Sequence, residues 1–227
     1  MNHAWSKVNN SGKSINNKNE KMKHFDILQN TPEWMALRCG KVTASNAACF
    51  MANEDKAFGD PAKRYALQIA LERINGYRSE SGFIGNAHTE RGHEQEPIAR
   101  MLYEEMNFVD VSNGGFFDCG LHGDSPDGLV GEDGVIEIKS VIAPVHYATI
   151  TRGSFDPAYT WQLISHLDCT ERAWVDFVSY CAEFPEHNRL FIYRLHRKDY
   201  EDHINRLRGR RLELLKLIDN IYEQIRK

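Results

Sequence analysis

The stretch GDSPDGLVGEDGVIEIKS, residues 123 to 140, leaves its chain few choices of fold. Gly131-Glu132-Asp133-Gly134 has the composition of a tight turn. The run that follows, Val135 to Lys139, reads as a strand. With a side-chain period of two, Ile136 and Ile138 point to one face, and Val135, Glu137 and Lys139 to the other. The isoleucines are expected in the core. Glu137 and Lys139 then stand roughly 6.6 Å apart along the strand, two residues of rise. Asp127 begins the partner strand, so a hairpin closing over residues 131 to 134 sets its carboxylate beside that of Glu137.

Two adjacent carboxylates repel each other unless a cation lies between them. An all-oxygen set with open positions suits Mg²⁺ or Mn²⁺, and the backbone carbonyl of Ile138 completes it. Such a cation activates water and neutralises phosphate charge. Lys139 is then placed to stabilise charge that develops in the reaction. Asp, Glu-x-Lys and a metal together make a site for phosphodiester hydrolysis. The same alternation also describes a solvated hairpin held by surface salt bridges, and Ser-Pro-Asp-Gly is a frequent turn sequence. Taken alone, the stretch leaves both readings open.

The 227 residues are enough for one domain with a substantial core. No apolar run reaches the length of a membrane span. Residues 1–24 are rich in Asn, Lys and Ser and lack the apolar stretch of a signal peptide. They are expected to form a disordered tail before a single domain over 25–227, in a cytoplasmic protein. The five cysteines are an odd number without a C-x-x-C pair, so neither a zinc site nor a disulfide framework is expected. A formal net charge of -4 argues against a simple nucleic-acid coat, but an enzyme needs positive charge only where the strand lies.

Helix signals surround the hairpin. Thr31 and Pro32 start a short helix to about Cys39, and a second capping signal follows at Thr43 to Ser45. Asp60, Pro61 and Gly76 bound a longer helix with Ala66, Leu67, Ala70, Leu71 and Ile74 as its apolar face. Residues 87–107 are helical, with Pro97 marking a kink or a fresh start. Further strands are expected in GGFFDCGLHG, DGLVG, RAWVDFVSYC and RLFIYRLHR, a helix in AYTWQLISHLDCT, and a long amphipathic helix from about Lys198 to the end. This order predicts an α/β fold with a central mixed β-sheet flanked by helices.

SPDGL followed by IEIK resembles the PD-(D/E)XK nuclease superfamily, with its restriction-endonuclease-like core. LRCGKVTAS, RGHEQEPIARMLYEE and AYTWQLISHL are similar to segments of its lambda-exonuclease-like branch, the YqaJ-type viral recombinases, in the same order. The resemblance implies that Asp127 and Glu137 are metal ligands, that Lys139 is the catalytic lysine, and that Glu96 assists the metal site. It further implies that Arg38, Ser45, Ser125 and Gln162 hold a terminal 5′-phosphate, a role that suits a guanidinium fork and neutral donors. Ile164, Ser165 and His166 stand where the family often carries a second Gln or a Tyr. His88, His93, His122 and His166 lie near these segments and receive no role.

The implied activity is a Mg²⁺-dependent, Mn²⁺-tolerant 5′-to-3′ exonuclease. It would digest one strand of linear double-stranded DNA from a 5′-phosphorylated end, leaving 3′ overhangs for recombination with a single-strand annealing protein. The alternative is a PD-(D/E)XK endonuclease of repair or restriction, and a third reading is a silent DNA-binding scaffold. The family also implies a homotrimeric ring and a phage- or prophage-type protein acting in a bacterial cell. Arg206, Arg208, Arg210 and Arg211 of the last helix are candidates to line or brace that ring, or the helix simply covers the sheet.

Overall fold

A computed structural model describes residues 22–78 and 87–227, with side chains in the second stretch from residue 94 onward. Among the described residues, nine strands form two mixed sheets. The larger contains β3 (Val111–Asn113), β6 (Gly128–Val130), β7 (Gly134–Ser140), β8 (Trp174–Tyr180) and β9 (Leu190–His196), in the order β3-β6-β7-β8-β9. The smaller contains β1 (Lys23–Phe25), β2 (Val42–Thr43), β4 (Phe116–Asp118) and β5 (His122–Asp124), in the order β1-β4-β5-β2. The helices are α1 (Pro32–Arg38), α2 (Ala47–Met51), α3 (Asp60–Asn75), α4 (Ala87–Asn107), α5 (Ala143–Arg152), α6 (Thr160–Thr170) and α7 (Glu201–Arg226). One mixed sheet was expected. The second arises because the chain leaves β5 at Asp124 and enters β6 at Gly128, so that Ser125-Pro126-Asp127 joins the two sheets.

The predicted hairpin is present, with Gly128 opposite Ile136 and Val130 opposite Gly134. Gly131, in the turn, has φ +53, a left-handed conformation that favours glycine. β7 then pairs in parallel with β8, which requires a crossover; α5 and α6 supply it. Both faces of β7 are covered. Ile136 and Ile138 pack with Ala99 and Tyr103 of α4, as the alternation predicts. Val135, on the opposite face, is buried with Leu163, Leu167 and Phe177. Glu137 on that same face is therefore only 2% exposed, which removes the solvated-hairpin reading.

Thr31 caps α1 as predicted, accepting a hydrogen bond from the backbone of Trp34 (3.3 Å). At α3 the cap is Gly59, and Asp60 is a first-turn acid that complements the helix dipole. The buried face of α3 also differs from expectation: Ala62, Tyr65, Ala66, Ile69 and Ala70 turn inward, while Leu67, Leu71 and Ile74 are more than a third exposed. The alanines let α3 pack closely on α7, and that close approach outweighs side-chain size in choosing the face. Pro97 lies inside α4, which is one helix. α5 was not anticipated.

Four arginines of α7 have partners within the chain; Arg210 and Arg211 are buried, and Arg206 and Arg208 are exposed. Arg206 pairs with Glu54, and Arg208 and Arg211 hold the buried carboxylate of Asp168 (both 2.6 Å). Arg210 stacks over Phe58 and donates to the carbonyls of Phe50 and Lys56. Residues 1–21 of the expected tail lie outside the described residues. Its last two residues, Lys23 and His24, are in β1, which pairs with β4 and stacks His24 on Phe117. Among the described residues, no helix is long and apolar enough to cross a membrane.

Candidate active site

Asp127 sits at the joint between the sheets, one residue before β6. Its Oδ2 accepts a hydrogen bond from the backbone N–H of Ile138 (2.6 Å). That bond ties the loop acid to β7 between Glu137 and Lys139. The N–H and C=O of one strand residue point to the same edge, so the carbonyl of Ile138 emerges on the Asp127 side. Lys139 donates to Oε1 of Glu137 (2.5 Å) and lies 5.2 Å from the centre of the Tyr159 ring. Arg100 of α4 donates to the carbonyl of Asp127, bracing the joint from the other side.

The electrostatics are those of a crowded anionic centre. Burial, then the charges of Glu137 and Glu96, push the Asp127 carboxyl well above the usual carboxylate range. Glu96, on α4, is thus close enough for its charge to be felt at Asp127. Burial also works against an ionised Glu137, but Lys139 and His166 outweigh it and hold that group down to about 2. Burial opposes the Lys139 ammonium as well, and the charges of Glu137 and Asp127 reverse the effect, so the amine stays above its ordinary value. The residues fit a divalent cation because their donors are buried oxygens that repel one another, Asp127 feeling both Glu137 and Glu96.

The remaining contacts of Glu137 come from α6. Gln162 donates to Oε1 (2.6 Å), and Nε2 of His166 lies 2.8 Å from Oε2, off the line of a good hydrogen bond. The other ring nitrogen of His166 pairs with Oδ2 of the buried Asp124 (2.7 Å). A fully buried imidazole would normally lose its proton, but Asp124 and Glu137 raise its pKa well above the ordinary value. His166 thus bridges two buried carboxylates whose charges favour its protonated form. Sequence reading gave it no role. The available signal was its position four residues after Gln162, which puts both on one helix face. Replacing His166 by Ala removes the ring that faces Oδ2 of buried Asp124 and Oε2 of Glu137, the latter keeping only Lys139 and Gln162 at its other oxygen. A loss of about 3–5 kcal/mol in unfolding free energy is expected from urea denaturation.

Arg38 and Ser125 also come together. Oγ of Ser125 accepts from Arg38 (3.1 Å) and from the indole of Trp34 (2.8 Å), and the Arg38 guanidinium lies 4.1 Å from the Trp34 ring centre. Burial, with Arg78 nearby, lowers the Arg38 pKa to about 10, and its buried Nε has no hydrogen-bond partner. The group keeps its charge at neutral pH. Ser125 is two residues from Asp127, so this pair adjoins the carboxylates. Ser45 stands on an exposed turn, its hydroxyl 3.4 Å from that of Thr43. Gln162, expected with the phosphate group, is instead bonded to Glu137, because the first turn of α6 faces β7.

The structure resembles LHK-Exo, an alkaline exonuclease from Laribacter hongkongensis. Identity is 33% over 86% of this chain and 98% of that one, with a TM-score of 0.73. A second structure of LHK-Exo, in complex with dAMP, gives 34% identity at the same coverage and TM-score. A phage related exonuclease from Haemophilus somnus 129PT shares the fold, with a TM-score of 0.65 at 15% identity over 82% of this chain and 96% of that one. No curated protein matches the sequence. Residues 33–173, which include Arg38, Glu96, Asp127, Glu137, Lys139 and Gln162, match the YqaJ-like viral recombinase domain, and the chain belongs to that family.

Proposed function

We propose that the protein is a metal-dependent deoxyribonuclease that digests one strand of linear double-stranded DNA from a 5′-phosphorylated end, in the 5′-to-3′ direction. The observation that carries this reading is the convergence of Asp127, Glu137 and Lys139 next to the Arg38–Ser125 pair. Asp127, Glu137 and the carbonyl of Ile138 would hold Mg²⁺, or Mn²⁺ in its place, with the Glu96 charge nearby. When bound there, the cation would supply a lowered pKa for water and an offset to the charge of the scissile phosphate. Lys139 orients the attacking water and keeps its proton, presenting a fixed positive charge to the phosphate oxygens. Gln162 and His166 hold the Glu137 carboxylate in place from behind.

Arg38 and Ser125 would receive the terminal 5′-phosphate, which sets the scissile bond over the carboxylates. Water adds to phosphorus and the bond to the 3′-oxygen of the terminal nucleotide breaks. The products are a deoxynucleoside 5′-monophosphate and a strand that again ends in a 5′-phosphate, so each cycle restores the group the pair binds. LHK-Exo, solved with dAMP, is consistent with a product of that class. Recombination through a single-strand annealing protein, a trimeric ring and action in the cytoplasm of a bacterial host complete the proposal. Light scattering near 26.1 kDa would contradict the ring.

Linear and covalently closed circular duplexes, incubated side by side with Mg²⁺, test the reading. Digestion of the linear form alone is expected. Cleavage of the circle would indicate an endonuclease, and attack on neither would indicate a scaffold. Arg38→Ala is expected to slow digestion of 5′-phosphorylated ends and to narrow their advantage over 5′-hydroxyl ends. Losing a charged hydrogen bond to phosphate costs about 1.5–3 kcal/mol, roughly a ten- to hundredfold change. Equal losses on both ends would make Arg38 a structural residue.

A further inference from the structure

A second cluster of ligating side chains lies away from the carboxylates. Ligand atoms of Cys119, His122 and Cys169 all fall within 4.8 Å of one another. Cys119 sits on the turn between β4 and β5, His122 is the first residue of β5, and Cys169 lies near the end of α6. The turn is well braced. Cys119 N–H donates to the His122 carbonyl (2.9 Å), and Lys41 donates to both Asp118 (2.7 Å) and the Gly120 carbonyl (2.6 Å). Cys169 is 2% exposed, while Cys119 and His122 are half-buried. The three donors therefore face one another across a partly open mouth.

We propose that Cys119, His122 and Cys169 bind a zinc ion. Two sulfurs and an imidazole are a soft donor set that selects zinc over magnesium, whereas the oxygen donors around Asp127 have the opposite preference. Zinc is four-coordinate, so three protein donors leave a fourth position for water, which the half-buried mouth admits. On binding, both thiols release protons to solvent and the imidazole coordinates in its neutral form. The ion fastens the β4–β5 turn to α6. Those two segments also carry Asp124, Gln162 and His166, the groups that hold Glu137 from behind. A cation here stiffens the support of the active site without touching substrate. This inference is independent of the proposed function.

Cobalt titration of the full chain tests it, carried out in an Asp127→Asn background to weaken the oxygen site. Thiolate-to-cobalt charge-transfer absorption and intense visible bands of a tetrahedral site are expected to rise to saturation at stoichiometric Co²⁺. Zn²⁺ should abolish them, and Cys119→Ser and Cys169→Ser should each remove most of the signal. Zn²⁺ is also expected to raise the melting temperature of the parent, and not of either variant. If the buried Cys169→Ser change prevents folding, the half-buried Cys119→Ser variant carries the test. Absence of the charge-transfer band overturns the proposal. So does a band that survives in Cys119→Ser, which would assign the metal to Cys39, Cys49 or Cys181. A Cys119–Cys169 disulfide found by mass spectrometry in protein purified with reductant would overturn it as well.

Discussion

Lys139→Ala is expected to lower the rate of phosphodiester hydrolysis by about 10²–10³, the usual consequence of removing one preorganised charge stabiliser. The ammonium lies against Glu137, and the carboxylates of Glu137 and Asp127 keep it protonated despite its burial. It therefore acts as a fixed charge and not as a proton donor that must titrate. Single-turnover digestion of a 5′-phosphorylated duplex under saturating Mg²⁺ measures the loss. Binding of the DNA end, measured in Ca²⁺, should change little because Arg38 and Ser125 are untouched. A variant that retains most of the wild-type rate would make Lys139 only a salt-bridge partner of Glu137.

Asp127→Asn and Glu137→Gln are expected to reduce activity at least as much, and to weaken Mn²⁺ binding in calorimetry. Each removes a negative charge from the set of oxygens that repel one another in the absence of a cation. The two variants should differ in stability. Asp127→Asn relieves repulsion from Glu137 and Glu96, so the folded protein should be as stable as the parent or more so. Glu137→Gln removes the anion that Lys139 and His166 both contact, leaving His166 only Asp124, and should destabilise it. Unchanged Mn²⁺ affinity in both variants would contradict their assignment as ligands.

Much of this site was legible because strand periodicity is local. Turn residues 131 to 134 and the alternation of Val135 to Lys139 specify which side chains share a face and where Asp127 arrives. Other features depend on contacts between distant segments. His166 acquires its charge from Asp124, 42 residues away, and no local pattern reveals that pairing. The arginines of α7 read as a basic stripe, but buried Asp168 on α6 pairs with two of them, exposed Arg208 and buried Arg211. On α3 the large aliphatic residues promised a core face, and close packing of alanines on α7 prevailed. Cys119, His122 and Cys169 escaped a search for C-x-x-C spacing because two elements supply the donors.

Catalysis as proposed needs one divalent cation among Asp127, Glu137 and the Ile138 carbonyl, beside a bound DNA end. A crystal soaked with Mn²⁺ and a short 5′-phosphorylated duplex, with anomalous data collected at the manganese edge, tests it most directly. An anomalous peak in contact with Asp127, Glu137 and the Ile138 carbonyl is expected, with the 5′-phosphate against Arg38 and Ser125. A manganese peak elsewhere, with those three oxygens bare, would contradict it.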